Sequence, residues 1–176
     1  MNATLQCFSQ IGKLSNYFKY NNRVNEIIKK YKSSGSLCLT ESYKYLIENL
    51  WPSKIEFINP KYNHKNSNNY YYAPYNFKKK ISDINPLFQD VASNDFKDLV
   101  SFIIMTLHKE LNKAKKIPSN STNNAIDQTN QNDIFQLFLQ NFINENKSII
   151  IDLFYAATTT ETQCSGCATK KYNFQT

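Results

Sequence analysis

A chain of 176 residues has room for one domain with a core. Its three glycines, Gly12, Gly35 and Gly166, stand too far apart to form G-x-G-x-x-G or a P-loop, and its two histidines, His64 and His108, cannot make H-E-x-x-H. The net charge of +7 comes from 21 basic and 14 acidic residues, but the lysines are scattered in short groups (Lys29-Lys30, Lys78 to Lys80, Lys113, Lys116, Lys170-Lys171) without interleaved aromatics, so no nucleic-acid partner is expected.

In chain order, Cys7, Ile11, Leu14 and Phe18 recur at i, i+4, i+7 and i+11, with Leu5 and Phe8 widening the stripe, which predicts one helix from Met1 to about Lys19. That pattern is already running at residue 1 with no room for a cap, so sequence upstream is expected. Arg23 to Lys32 is a basic amphipathic segment (Val24, Ile27, Ile28, Tyr31), broken by Ser33-Ser34-Gly35-Ser36. Thr40 opens a helix with Glu41 in its first turn, burying Tyr43, Leu46, Ile47 and Leu50 and stopping before Pro52. From Asn59 to Tyr75 the Asn-, Lys- and Tyr-rich stretch with Pro60 and Pro74 reads as a surface loop.

Ser93-Asn94-Asp95 starts the strongest helix, in which Leu99, Phe102, Ile103, Leu107 and Leu111 keep the period. Asp95 and Asp98 stand at its start, where the helix dipole favours acids. Ser119 to Asn132 is polar and reads as a linker. Asp133 to Asn144 is a further amphipathic helix, followed by the apolar Ile149 to Phe154. A Thr-rich run from Tyr155 to Gln163, the knuckle Cys164-Ser165-Gly166-Cys167 and a strand-like end from Thr169 to Gln175 complete the order: helices first, then paired strands around a knuckle.

The longest apolar stretch, Leu99 to Leu107, is about half of a membrane span, so no membrane partner is expected. Four cysteines without a signal peptide suit a reducing compartment, cytoplasmic or nuclear. Cys7 sits on the first apolar stripe and Cys38 follows the Ser-Gly-Ser break, and both are expected to be inert packing thiols. His64 lies in the Asn-rich loop and His108 in a polar turn, so a solvated surface role is expected for both. Cys164 and Cys167 have a spacing that lets two thiolates reach one Zn²⁺, yet a closed structural site takes four ligands. The spacing alone leaves metal and chance equally open. A thioredoxin-like redox pair is disfavoured because no βαβ pattern surrounds it.

Three segments, in order, resemble the ubiquitin-specific protease family of cysteine deubiquitinases. Met1-Asn2-Ala3-Thr4-Leu5-Gln6 matches the M-N-A-x-L-Q that follows the nucleophile in the family's Cys box. Ser93 to Leu99 is similar to the family's Q-Q-D-A-x-E-F, keeping the first acid as Asp95 and replacing the second by Asp98, while both glutamines are lost. Ser148-Ile149-Ile150-Ile151-Asp152-Leu153-Phe154, then Cys164-x-x-Cys167, is similar to S-x-I-x-x-L-F and the first half of the fingers zinc site.

The resemblance implies an α+β fold: a helical thumb followed by the first strands of a zinc-knuckle fingers subdomain, with the papain-like palm largely missing. Residues 1–118 and 132–154 would be thumb-like, 119–131 a polar linker and 155–176 the start of the fingers. The family's nucleophile would fall upstream of Met1, and its His box and second C-x-x-C beyond Thr176. No catalytic residue is therefore expected in this chain, which would be an inactive part of a thiol-dependent deubiquitinase. By resemblance, Asp95 and Asp98 would line the channel for the arginine-bearing tail of ubiquitin. Capping the helix is the plain reading of the same two residues, and the readings are compatible. Cys164 and Cys167 would ligate zinc in the intact fold and bind it weakly or not at all in this chain alone. Ubiquitin or a ubiquitinated protein is the implied partner, and a non-catalytic ubiquitin-binding or scaffolding protein is the alternative.

Overall fold

The first apolar stripe folds as two helices. In the computed structural model, which describes residues 1–52, 72–89, 95–114 and 131–176, α1 spans Asn2–Ser9 and α2 spans Gly12–Tyr20. The break at Gln10 and Ile11 re-phases the stripe: Leu5 and Phe8 are buried from α1, Leu14 and Phe18 from α2. Cys7 is left exposed, which corrects the expectation of a buried thiol. The carbonyl of Ser9, orphaned where α1 ends, accepts from Ser15 Oγ at 2.8 Å and from Trp51 Nε1 at 3.1 Å, so the break is satisfied by side chains.

Helix α3 spans Asn22–Ser34. Asn21 Oδ1 accepts from the Arg23 N–H at 3.0 Å at its start. At its end Gly35 takes φ 66°, while its N–H and that of Ser36 reach back to Lys32 and Tyr31, a Schellman closure that favours glycine. Helix α4 spans Leu39–Leu50, α5 spans Tyr75–Ile84, a 3₁₀ turn covers Pro86–Phe88, and α6 spans Phe96–Leu111. At Tyr75, the end of the Asn-rich segment, begins a helix, not expected from the sequence, whose Phe77 and Ile81 are buried.

The organising element of this unit, Met1–Leu111, is α4, which packs on α2, α3, α5 and α6. Its Tyr43 is fully buried and meets the Phe18 ring edge-on at 4.6 Å between centroids and the Phe77 ring at 6.0 Å. Leu46 and Ile47 beside it, and Leu99, Ile103, Leu107 and Leu111 of α6, are buried as their spacing predicts. Each such side chain contributes about 1.5–3 kcal/mol of burial. Leu50, at the end of α4, is only half-buried.

The second unit, Asn112–Thr176, contains α7 (Gln131–Glu145), α8 (Ile149–Phe154), β1 (Thr158–Gln163) and β2 (Lys170–Gln175). Asn112, directly after α6, is tied to the turn that follows α7. Its Nδ2 donates to the Glu145 carbonyl at 2.9 Å, and its Oδ1 accepts from the Lys147 N–H at 2.9 Å. Ser148 caps α8 by accepting from the Ile151 N–H at 3.3 Å. The strands pair antiparallel from Thr158 opposite Gln175 to Gln163 opposite Lys170.

The fold is mostly helical with one small unclosed two-stranded sheet, and no papain-like core is evident among the described residues. No described helix is long and apolar enough to cross a membrane. His64, Ser93, Asn94 and most of the Asn-rich and linker segments lie outside the described residues.

Candidate functional site

Asp95 immediately precedes α6. Its Oδ1 accepts from the Lys97 N–H at 2.9 Å, and its carbonyl accepts the first helical bond, from the Leu99 N–H at 3.3 Å. This is N-cap geometry, and it fixes the carboxylate at the positive end of a 16-residue helix. Asp98 lies in the first turn of the same helix, and both carboxylates are exposed. The result is a solvent-facing acidic pair on a rigid element, suited to hold a guanidinium or an ammonium group.

The other candidate residues sit on the hairpin. Cys164 and Cys167 are exposed in the turn between β1 and β2. The turn closes through the Cys164 N–H donating to the Thr169 carbonyl at 2.9 Å and the Ala168 N–H donating to the Cys164 carbonyl at 2.9 Å. Ala168 takes φ 56°, so the left-handed position falls on a residue with a Cβ and not on Gly166. Cys167 Sγ donates to Thr169 Oγ1 at 3.1 Å. When the sulfur is ionised the Thr169 hydroxyl and N–H, and the Cys164 thiol, can donate to it instead, which lowers the Cys167 thiol to about 7. Among the described residues no group of three or more His, Cys, Asp and Glu side chains is arranged to hold a metal ion, so the pair by itself falls short of the four ligands that a closed zinc site needs.

The remaining thiols and imidazole occupy different surroundings. Cys38 is buried as expected, with its Sγ 3.5 Å from Glu110 Oε2. Burial first, and then the Glu110 charge, push its thiol up to about 12, the opposite of nucleophile activation. His108 lies half-buried in the last turn of α6. No catalytic Cys–His pair is evident among the described residues.

Glu110 is the residue that sequence reasoning missed. From α6 its two oxygens accept the Leu39 N–H at 2.8 Å and the Thr40 N–H at 2.7 Å, capping α4 from 71 and 70 residues away in sequence. The available signal was negative: the N-cap residue of α4 is Cys38, which makes no side-chain cap bond, so its first N–H groups needed a partner from elsewhere. An open cleft of about 370 Å³ between α4 and α5, lined by Glu41, Tyr45, Lys79, Lys80 and Asp83 among others, contains none of the predicted site residues.

The family profile described as ubiquitin carboxyl-terminal hydrolase matches residues 1–176, the whole chain. The chain belongs to the ubiquitin carboxyl-terminal hydrolase family. It is similar to ubiquitin carboxyl-terminal hydrolase 15 of Rattus norvegicus, 25% identical over 169 residues that cover 96% of this chain and 16% of the relative. The corresponding protein of Xenopus tropicalis is 26% identical over 171 residues, with the same two coverages. Ubiquitin carboxyl-terminal hydrolase 4 of Rattus norvegicus is 26% identical over 180 aligned residues, covering 99% of this chain and 16% of the relative. The chain therefore spans about one sixth of the length of the curated relatives it matches.

Proposed function

We propose that this chain is part of a deubiquitinating cysteine protease, which hydrolyses the bond after the C-terminal glycine of ubiquitin through a thioester formed on a thiol nucleophile. In this reading its helices serve as the thumb and its hairpin as the start of the fingers, and it does not supply the nucleophile. The family match over the whole chain carries the reading. The environment of Cys38, held protonated by burial and Glu110, supports the second half of it.

Asp95 and Asp98 then receive the basic tail of ubiquitin, pairing with guanidinium as carboxylates do. Cys164 and Cys167 would hold zinc as two thiolate ligands of a four-ligand site. The metal would supply a structural cross-link across the hairpin turn. The test is hydrolysis of a ubiquitin C-terminal fluorogenic substrate by the 176-residue chain, together with an active-site-directed ubiquitin probe. No turnover and no labelling of Cys7 or Cys38 is the expected result; turnover abolished by Cys7→Ser or Cys38→Ser would overturn it.

A second reading, a non-catalytic ubiquitin-binding or scaffolding protein, is favoured by the lack of an evident Cys–His pair among the described residues. It predicts that the full-length gene product binds ubiquitin without reacting with the probe.

A further inference from the structure

The cleft between α4 and α5 is a polar cavity that the hydrolase reading leaves unused. Its volume of about 370 Å³ falls within the range of small-ligand pockets, roughly 300–1,000 Å³. One wall is α5, which contributes Asn76, Lys79, Lys80 and Asp83. Asn76 and the two lysines stand at i, i+3 and i+4, so they are neighbours on one helix face. Among the described residues neither lysine belongs to an ion pair, although Asp83 lies only a turn further along the same helix. The other wall is α4, with Glu41 and Tyr45. The Glu41 carboxylate is already engaged by Lys32 at 2.6 Å, and Lys32 is not part of the lining. The Tyr45 ring is 42% exposed and is held edge-on to the Tyr72 ring at 6.4 Å between centroids, so it presents an apolar wall.

We propose that this cleft binds an organic monocarboxylate with an apolar or aromatic body. The carboxylate accepts from Lys79, Lys80 and the Asn76 amide, and the body lies against Tyr45. Charge balance selects the class. With Glu41 paired to Lys32, the two lysines and Asp83 leave a single positive charge unmatched in the cleft. A monoanion neutralises it, and a dianion such as a phosphate monoester overshoots. Attraction grows in proportion to the ligand's charge, whereas the cost of taking that charge out of water grows as its square, so the monoanion is favoured. A cation is opposed by both lysines. The carboxylate can belong to a free small acid or to an acidic side chain of a peptide. The site is independent of the hydrolase reading, since it shares no residue with the acidic pair of α6 or with the hairpin.

The experiment follows amide shifts of the isotope-labelled 176-residue chain at pH 8 on addition of benzoate, phenyl phosphate or benzylamine, which share one ring and carry a single negative, a double negative and a single positive charge. Benzoate is expected to give saturable shifts at residues 41–45 and 76–83, with weaker binding of the other two. Lys79→Gln/Lys80→Gln should weaken benzoate about tenfold, as two screened charge contacts are lost. Lys79 is exposed and Lys80 half-buried, so the core is untouched, and the amide spectrum checks that α5 stays folded. Asp83→Asn should narrow the preference for benzoate over phenyl phosphate. Phenyl phosphate or benzylamine binding the wild type as tightly as benzoate, no saturable shifts at these residues, or unchanged benzoate affinity in the lysine variant would overturn the proposal. A capped Phe-Glu dipeptide, with its Phe-Gln counterpart as the blank, decides the source. Saturable shifts from the Phe-Glu peptide alone extend the site to acidic peptide segments, and their absence while benzoate binds assigns it to free small carboxylates.

Discussion

The two compact units of this chain place Cys38 and the Cys164–Cys167 pair in opposite surroundings. In Met1–Leu111, α2, α4 and α5 bring together Phe18, Tyr43 and Phe77, each fully buried, and Cys38 is buried in the same unit. In Asn112–Thr176, every residue of β1 is exposed, and the hairpin is held by its ladder, by an exposed Lys170–Glu161 ion pair at 2.7 Å, and by Phe174 against Phe135 and Phe138 of α7. Such a two-stranded ribbon is marginal by itself, and a solvent-screened exposed ion pair adds little. A thiol is inert in the surroundings of Cys38 and available for chemistry in those of Cys164 and Cys167.

The sharpest way to break that contrast is to compare thiolates. With Cys167 lowered to about 7 and Cys38 raised to about 12, the ionised fractions at pH 8 differ by roughly four orders of magnitude. Iodoacetamide at pH 8 should modify Cys167 early and leave Cys38 unmodified in the folded chain, as read by peptide mapping. Lowering the pH from 8 to 6 should slow the Cys167 reaction about tenfold, because its thiolate is lost as pH falls through the folded value. Comparable rates at the two cysteines would remove the distinction.

Core deletion comes next. Phe18→Ala should destabilise the first unit by about 3–5 kcal/mol, measured by denaturant unfolding, since the ring is buried and stacked edge-on against Tyr43. Glu110→Ala should cost about 2–3 kcal/mol, because it leaves the Leu39 and Thr40 N–H groups without their charged acceptor. Glu110→Gln keeps one acceptor oxygen and should cost less. The smallest effect is expected on the hairpin: Ala168→Gly should stabilise it by about 1 kcal/mol, since glycine adopts φ 56° without a Cβ penalty. Slower amide exchange in β1 and β2 would register the gain.

What was legible in the sequence follows from the range of each interaction. The stripe of α6, the break at Ser33 to Ser36 and the paired strands around the knuckle are set within a few residues, and periodicity or composition displays them. The break between α1 and α2 was hidden because the apolar spacing runs through it. What ends α1 is the capture of the Ser9 carbonyl by Ser15 and Trp51, the latter a contact from the end of α4. Glu110 was illegible as a cap because its partners lie across the fold. The acidic pair and the C-x-x-C were visible as residues, but their exposure is a tertiary fact.

The central claim, that the N-terminal end of α6 receives the basic tail of ubiquitin, is tested most directly by NMR titration of the isotope-labelled chain with ubiquitin, for wild type and for Asp95→Asn/Asp98→Asn. Asparagine caps a helix about as well as aspartate, so the double variant removes charge while keeping the cap bond to Lys97. The account predicts shifts centred on residues 95–99 in the wild type and affinity weakened about tenfold or more in the variant, with α6 still folded. Equal affinity for the two proteins, or shifts that leave this end of α6 untouched, would contradict it.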